Sequence, residues 1–440
     1  MDRRQIAEQI FLAGVESVLP DKLITAAMSV TGNMLKIGDL KISLDKTKNI
    51  YVIGAGKASA IMALEVEKIL GDRITKGHII VKYGHSTQLK LIKITEAGHP
   101  FPDANGFSAT KSVLEIANNA KADDLVICLL SGGGSSLLCD CPEELTPDDL
   151  ILVSKLLVNC GAGIKEINAV RKHLSKVKGG QLAATVYPAT LVSMILSDVI
   201  GDHLDIIASG PTAPDPTTFI DALEVLEKFS VKQSLPARII DFLYSGAMCK
   251  IPETPKPGDK VFEKTRNILI GTNKIALESA RLKAQEYNIN AVIIEDELQG
   301  DVVSVSEYLI EMAIQFRNDQ NEVKPVCILF GGETTVRMTG KGSGGRNQHL
   351  ALLLAKLLAD KPGITILCAG TDGYDGPTRA AGAVVDSETI PYAISRKVDP
   401  DKYLNDFNSY SFFNKTSGHI ITGPTKTNVM DIVVVIVDQP

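Results

Sequence analysis

The stretch LVICLLSGGGSSLL, residues 125–138, begins with six consecutive apolar residues and breaks into three glycines flanked by serines. An apolar run without alternation reads as a strand buried on both faces, the situation of a parallel sheet covered by helices. Ser131, Gly132, Gly133, Gly134, Ser135 and Ser136 then stand at the carboxyl end of that strand. NH and OH donors converging there would cradle an anion or a sugar hydroxyl. A loop that only permits close packing is the competing use of the glycines.

Working outward, the same pattern recurs. Apolar runs stand at 51–53, 79–81, 191–196, 268–270, 291–294, 326–330, 364–367 and 432–437. Amphipathic stretches predict helices over 57–70, 105–119, 148–158, 220–229, 273–287, 301–316 and 346–359. This alternation predicts an α/β protein with largely parallel sheets. At 440 residues the chain exceeds one ordinary core. The one strong composition break is KIPETPKPGDKVFEKT. It predicts a Pro-rich linker at 250–265, an N-terminal Rossmann-like domain over 1–249 and a smaller C-terminal α/β domain over 266–440.

The net charge is −6, and no basic block is present, which argues against nucleic acid and acidic membranes as partners. Seven cysteines without a CxxC, mostly inside apolar runs, read as buried thiols of a reducing compartment, and no structural zinc is expected. Ile6, Ile10, Phe11, Val15 and Val18 recur at helical spacing with acids between them, unlike a signal peptide. No apolar run approaches the roughly 18 to 20 residues of a membrane span. The expectation is a cytoplasmic protein acting on small molecules, for which homo-oligomerisation is compatible with the sequence.

Further segments beyond this turn carry chemistry. In YVIGAGKASA, residues 51–60, a strand runs into Gly54, Gly56 and a helix start bearing Lys57. A cation there opposes the helix dipole, so an anionic partner is favoured over a solvated lysine. The P-loop spacing fails because position 51 is Tyr; the dinucleotide fingerprint fails because Ser59 replaces its third glycine and the next strand ends at Lys82 without an acid. Between 167 and 183, Arg171, Ser175 and Lys178 would share one helical face, for an acidic substrate or for solvent. Asp198 follows the strand 191–196, placed to bind Mg²⁺, to accept a proton, or to cap a turn. In the second half, Glu333 follows Gly331 and Gly332; Gly344 and Gly345 precede Arg346, a planar cation suited to phosphate or carboxylate, at a helix start. Asp372 in TDGYDGPTRAAGAVVD could hold a divalent ion with nucleotide phosphate or form an Asx-turn.

No hydrolase triad or HExxH is legible. Glycine turns with a cation in each half, plus carboxylates at strand ends, are the equipment of phosphoryl transfer. The strings VIGAGKAS, GHPFPDANG, LLSGGGSSLL, INAVRKHLSKVKGGQLA, LSDVIGDHLDIIASGPTAPDPTTF, GGETTV, GSGGRNQHLALLLA and AGTDGYDGPTRAAGAVVD resemble, in order and across the chain, the glycerate 2-kinase family, whose second half is a MOFRL-type domain. That resemblance implies ATP-dependent phosphorylation of D-glycerate at its 2-hydroxyl in an interdomain cleft. It implies Lys57 and Arg346 as the cations of the site and Asp198 and Asp372 as its acids. Mg²⁺ would be held mainly by the nucleotide, with Asp198 or Asp372 as candidate ligands, and SGGGSS would cradle either nucleotide phosphate or glycerate carboxylate. A nicotinamide-dependent hydroxypyruvate reductase, a phosphosugar isomerase and a non-catalytic sugar-acid sensor are the alternatives.

Overall fold

Each apolar run above becomes a strand. A computed structural model of the chain describes residues 1–319 and 325–438. By internal contact it divides into Pro20–Ile270 and a second unit combining Met1–Leu19 with Gly271–Pro440.

The unit Pro20–Ile270 begins with a small antiparallel sheet of β1 (Met28–Thr31), β2 (Met34–Ile37) and β3 (Leu40–Ser43). Its main sheet contains β4 (Ile50–Ala55), β5 (Ile74–Lys82), β6 (Ile92–Ala97), β7 (Leu125–Leu130), β8 (Thr190–Leu196) and β9 (Thr265–Gly271). The order is β6-β5-β4-β7-β8-β9, and β4 to β8 pair in parallel. Counted from β4 this is the Rossmann order 3-2-1-4-5-6, in which the chain leaves β4 and β7 in opposite directions and opens a crevice at their carboxyl ends. All six residues of β7 are buried, as its uninterrupted apolar sequence demands. Ile53, Val113, Ile116, Val126, Leu130, Leu182 and Ile195 form the core between this sheet and its helices. The helices Pro147–Asn159, Ile164–His173, Phe219–Lys228 and Ala237–Ala247 enclose a separate apolar cluster.

The second unit contains β10 (Asn290–Asp301), β11 (Val326–Thr335), β12 (Ile364–Gly370), β13 (Gly382–Asp386), β14 (His419–Ile420) and β15 (Asp431–Val437) in the order β10-β11-β15-β12-β13-β14. Only β10 and β11 are parallel; the other pairings are antiparallel. Largely parallel sheets are therefore found in the first unit alone. A strand buried at every residue, as β15 is, reads the same in either direction.

The unit boundaries also differ from those expected. Residues 250–265 are fastened to the first unit: Asp215 N donates to Pro255 O (2.9 Å), Thr254 Oγ1 donates to buried Asp215 (3.0 Å), and His173 Nε2 lies 2.9 Å from Glu253. The segment leads directly into β9 of that unit's sheet, so it does not act as a free linker. The helix Arg3–Ser17 lies with the second unit instead, with Ile10 and Phe11 fully buried and Arg3 and Arg4 paired to Asp438 and Asp386.

Candidate functional site

At the crevice, the turns after β4 and β7 are locked together. Gly56 has φ +146°, and a methyl group there would lie 2.1 Å from Ser131 Oγ, so only glycine permits the approach. Lys57 N donates to Gly132 O (2.9 Å), Ala58 N to Ser131 Oγ (3.0 Å), and Ser59 Oγ to Leu129 O (3.1 Å). The backbone donors expected to meet an anion at GAGKAS are thus spent on SGGGSS, and Ser131, 1% exposed, is a fastener. What the turn leaves available is the Lys57 ammonium, which makes no ion pair or hydrogen bond with a described residue.

Three side chains ring Gly132 and Gly133. A methyl group on Gly132 would sit 2.1 Å from Asp198 Oδ2; one on Gly133 would sit 3.0 Å from His99 Nε2 and 3.6 Å from Lys57 Cγ. The structure therefore gathers Lys57 and Asp198, singled out in sequence, and adds His99, whose only signal was its place in GHPFPDANG. Burial, then the Lys57 and Lys82 charges, pull the His99 pKa down to about 4, so it is a neutral imidazole at neutral pH. Gly132→Ala should displace Asp198 while leaving the fold intact, because Gly132 has no left-handed backbone to strain. We expect kcat to fall about 100-fold, the usual loss for a misplaced catalytic group, with an unchanged circular dichroism spectrum; normal turnover would remove Asp198 from the reaction.

Beneath the turn, Gly134–Leu137 forms one short helical turn. Buried Lys178 donates to Ser135 O (2.7 Å) and Leu138 O (2.6 Å), and burial lowers its pKa to about 8. The helix Ile164–His173 ends before Ser175, so Arg171, Ser175 and Lys178 do not share a helical face; all three nevertheless line one pocket. Lys172 belongs to the interior, 3.1 Å from Asp215, and is not a solvated lysine.

In the second unit, Arg346 opens the helix Arg346–Leu358 and is already engaged: it grips Asp431 through two bonds (2.6 and 2.9 Å) and meets Glu333 at 2.6 Å. Burial alone would lower its pKa, but the two carboxylates hold it above the ordinary arginine range. The helix start holds a resident anion. Asp375 accepts from Asn347 N (3.0 Å), Gln348 N (2.8 Å) and Gln348 Nε2 (3.0 Å), and burial raises its pKa to about 6. Gly344 and Gly345 serve close approach, since methyl groups there would lie 2.2 Å from Ser409 Oγ and from Asp375 Oδ1. Asp372 forms the Asx-turn, accepting from Tyr374 N (3.0 Å). Its Oδ1 and that of Asp431 stand 3.4 and 3.3 Å from the methyl position of Gly370, which places it beside the Arg346 cluster. Asp431 and Asp375 are the partners that sequence reasoning did not assign.

A doubly wound unit with a free lysine, an aspartate and glycine turns at its switch point defines a Rossmann-like α/β enzyme. The family model described as a domain of unknown function, DUF4147, matches residues 6–244, and that of the MOFRL family matches residues 326–431. D-glycerate 2-kinase of Thermotoga maritima is 38% identical over 434 residues, covering 98% of this chain and 97% of its own. Glycerate 2-kinase of Pyrococcus horikoshii is 39% identical over 441 residues, covering 99% and 98%. The crystal structure of glycerate kinase from Thermotoga maritima superposes with a TM-score of 0.87 at 37% identity, covering 99% of each chain. The chain belongs to the glycerate 2-kinase family.

Proposed function

We propose that the protein transfers the γ-phosphoryl group of ATP to the 2-hydroxyl of D-glycerate, forming 2-phosphoglycerate and ADP. The observation that carries this reading is the grouping of an unpaired Lys57 with Asp198 on the glycine turns of the switch point, in a chain matched end to end by relatives bearing that activity's name. Lys57 and Arg346 are each assigned to phosphate charge, and Asp198 to the proton of the attacking hydroxyl.

Among the described residues no group of three or more His, Cys, Asp or Glu could hold a metal ion. An ion carried by nucleotide phosphates would be touched by a carboxylate, Asp198 being the first candidate and Asp372, engaged in its turn, the alternative. Bound there, Mg²⁺ would neutralise phosphate oxygens. No helix is long and apolar enough to cross a membrane among the described residues, and seven free thiols support a cytoplasmic setting.

The test is a coupled assay with ATP, Mg²⁺ and D-glycerate in which phosphorus NMR identifies the product. We expect 2-phosphoglycerate; 3-phosphoglycerate or no turnover would overturn the reading. NADH-dependent hydroxypyruvate reduction is disfavoured because β5 ends at Lys82, where NAD would need an acid for its ribose. The same preparation, given hydroxypyruvate, should leave both NADH and NADPH unoxidised.

A further inference from the structure

The Rossmann-like unit also holds a partly buried cation that no described carboxylate pairs with. Arg171 stands in the last turn of the helix Ile164–His173, partly buried, and its guanidinium makes no hydrogen bond or ion pair with a described residue; burial alone acts on its ionisation. It faces a pocket walled by Pro100, Phe107, Val153 and Leu174. The one carboxylate there, Asp140, is already taken by Ser175 Oγ (2.5 Å) and Lys176 N (2.6 Å). An arginine held in apolar surroundings without a partner is a waiting site for an anion.

The hydroxyls on the same wall say which kind of anion. Asn168 Nδ2 donates to Ile206 O (3.3 Å), so Asn168 Oδ1 accepts the Ser209 proton (2.9 Å). Ser209 can then only accept from Ser135, 2.6 Å away, which commits the Ser135 proton. Ser136 donates to Gly133 O (3.1 Å). Both serines therefore turn lone pairs, not protons, toward the pocket. A phosphate chain, which offers acceptors only, would leave those lone pairs unmatched. A ligand combining a carboxylate with a hydroxyl donor on a short carbon backbone would satisfy guanidinium, lone pairs and apolar wall together.

We infer that this pocket is the hydroxy-acid subsite, in which Arg171 grips the acceptor's carboxylate and Ser135 accepts from a hydroxyl that is not phosphorylated. SGGGSS is then an acceptor-facing turn and not a nucleotide cradle. The inference rests on the kinase reading only for the identity of the acid as glycerate, whose spare hydroxyl is at C3.

Calorimetric titration, with and without a non-hydrolysable ATP analogue, tests it without turnover. The wild type should bind D-glycerate roughly 30- to 100-fold more tightly than uncharged D-glyceramide, the range expected for a charged hydrogen-bonded pair. Arg171→Leu should erase that preference and shift KM for ATP less than about threefold, while Arg171→Lys keeps part of it. Ser135→Ala should remove glycerate's advantage over D-lactate, which lacks the C3 hydroxyl, and serves where Arg171→Leu proves unfolded by thermal melt. Equal binding of glycerate and glyceramide by the wild type, no glycerate binding under either condition, or loss of nucleotide affinity alone in Arg171→Leu would overturn the subsite. Arg171-dependent binding without phosphorylation would sink the kinase reading and leave the pocket standing. Turnover with Arg171-independent binding would do the reverse.

Discussion

Arg346→Ala is expected to lose both turnover and stability, and the two losses should be separable. The substitution strands Asp431, 5% exposed, next to Glu333 with no cation between them. Breaking a pair with one buried member costs about 3 kcal/mol, the lower end of the range for buried pairs because the Arg346 side chain is 32% exposed. Urea denaturation should therefore show a lowered midpoint, and kcat should fall about 1,000-fold, the scale for losing an arginine from a phosphoryl-transfer site. Combining it with Asp431→Asn removes the stranded charge. The double variant should regain most of the stability and none of the turnover. If it regained turnover, Arg346 would be a clamp for Asp431 and nothing more. The resting contacts suggest how Arg346 could serve both ends: Glu333, 41% exposed, is the looser partner and the one an incoming phosphate would displace, while Asp431 keeps the guanidinium aimed.

The strands, the long helices and the placement of Lys57 and Asp198 at strand ends were legible because each is a local fact. Six apolar residues ending in glycine mean a buried strand and a turn wherever the partners come from. Strand direction in the second sheet was not legible, because burial on both faces erases the alternation that distinguishes exposed antiparallel strands. Residues 250–265 misled for a related reason. Their polar side chains look solvated until Asp215 and His173, both buried, supply partners from 35 or more residues away in the chain. The shared helical face expected of Arg171, Ser175 and Lys178 fails because the helix stops at His173; the turn that follows brings them to one pocket by another route. Asp431 lies 85 residues from Arg346 at the start of a strand, and nothing local marks it as a partner.

Lys57→Ala should separate activity from stability in the opposite sense. Its ammonium has no carboxylate to strand among the described residues, so the unfolding midpoint should move by no more than about 0.5 kcal/mol, the range of substitutions that break no buried contact. Loss of a cation acting on the transferring phosphoryl group should still lower kcat about 1,000-fold with little change in KM for ATP. A second readout comes from His99. Lys57 is the largest charge depressing its pKa to about 4, after burial itself. Removing that charge should raise the His99 pKa, by only part of the gap to its ordinary value because burial remains. A proton NMR titration of the His99 ring measures this in the absence of substrate. An upward shift with lost turnover places the Lys57 charge at the Gly132–Gly133 turn and in the reaction together. A shift with normal turnover would confine Lys57 to the resting electrostatics.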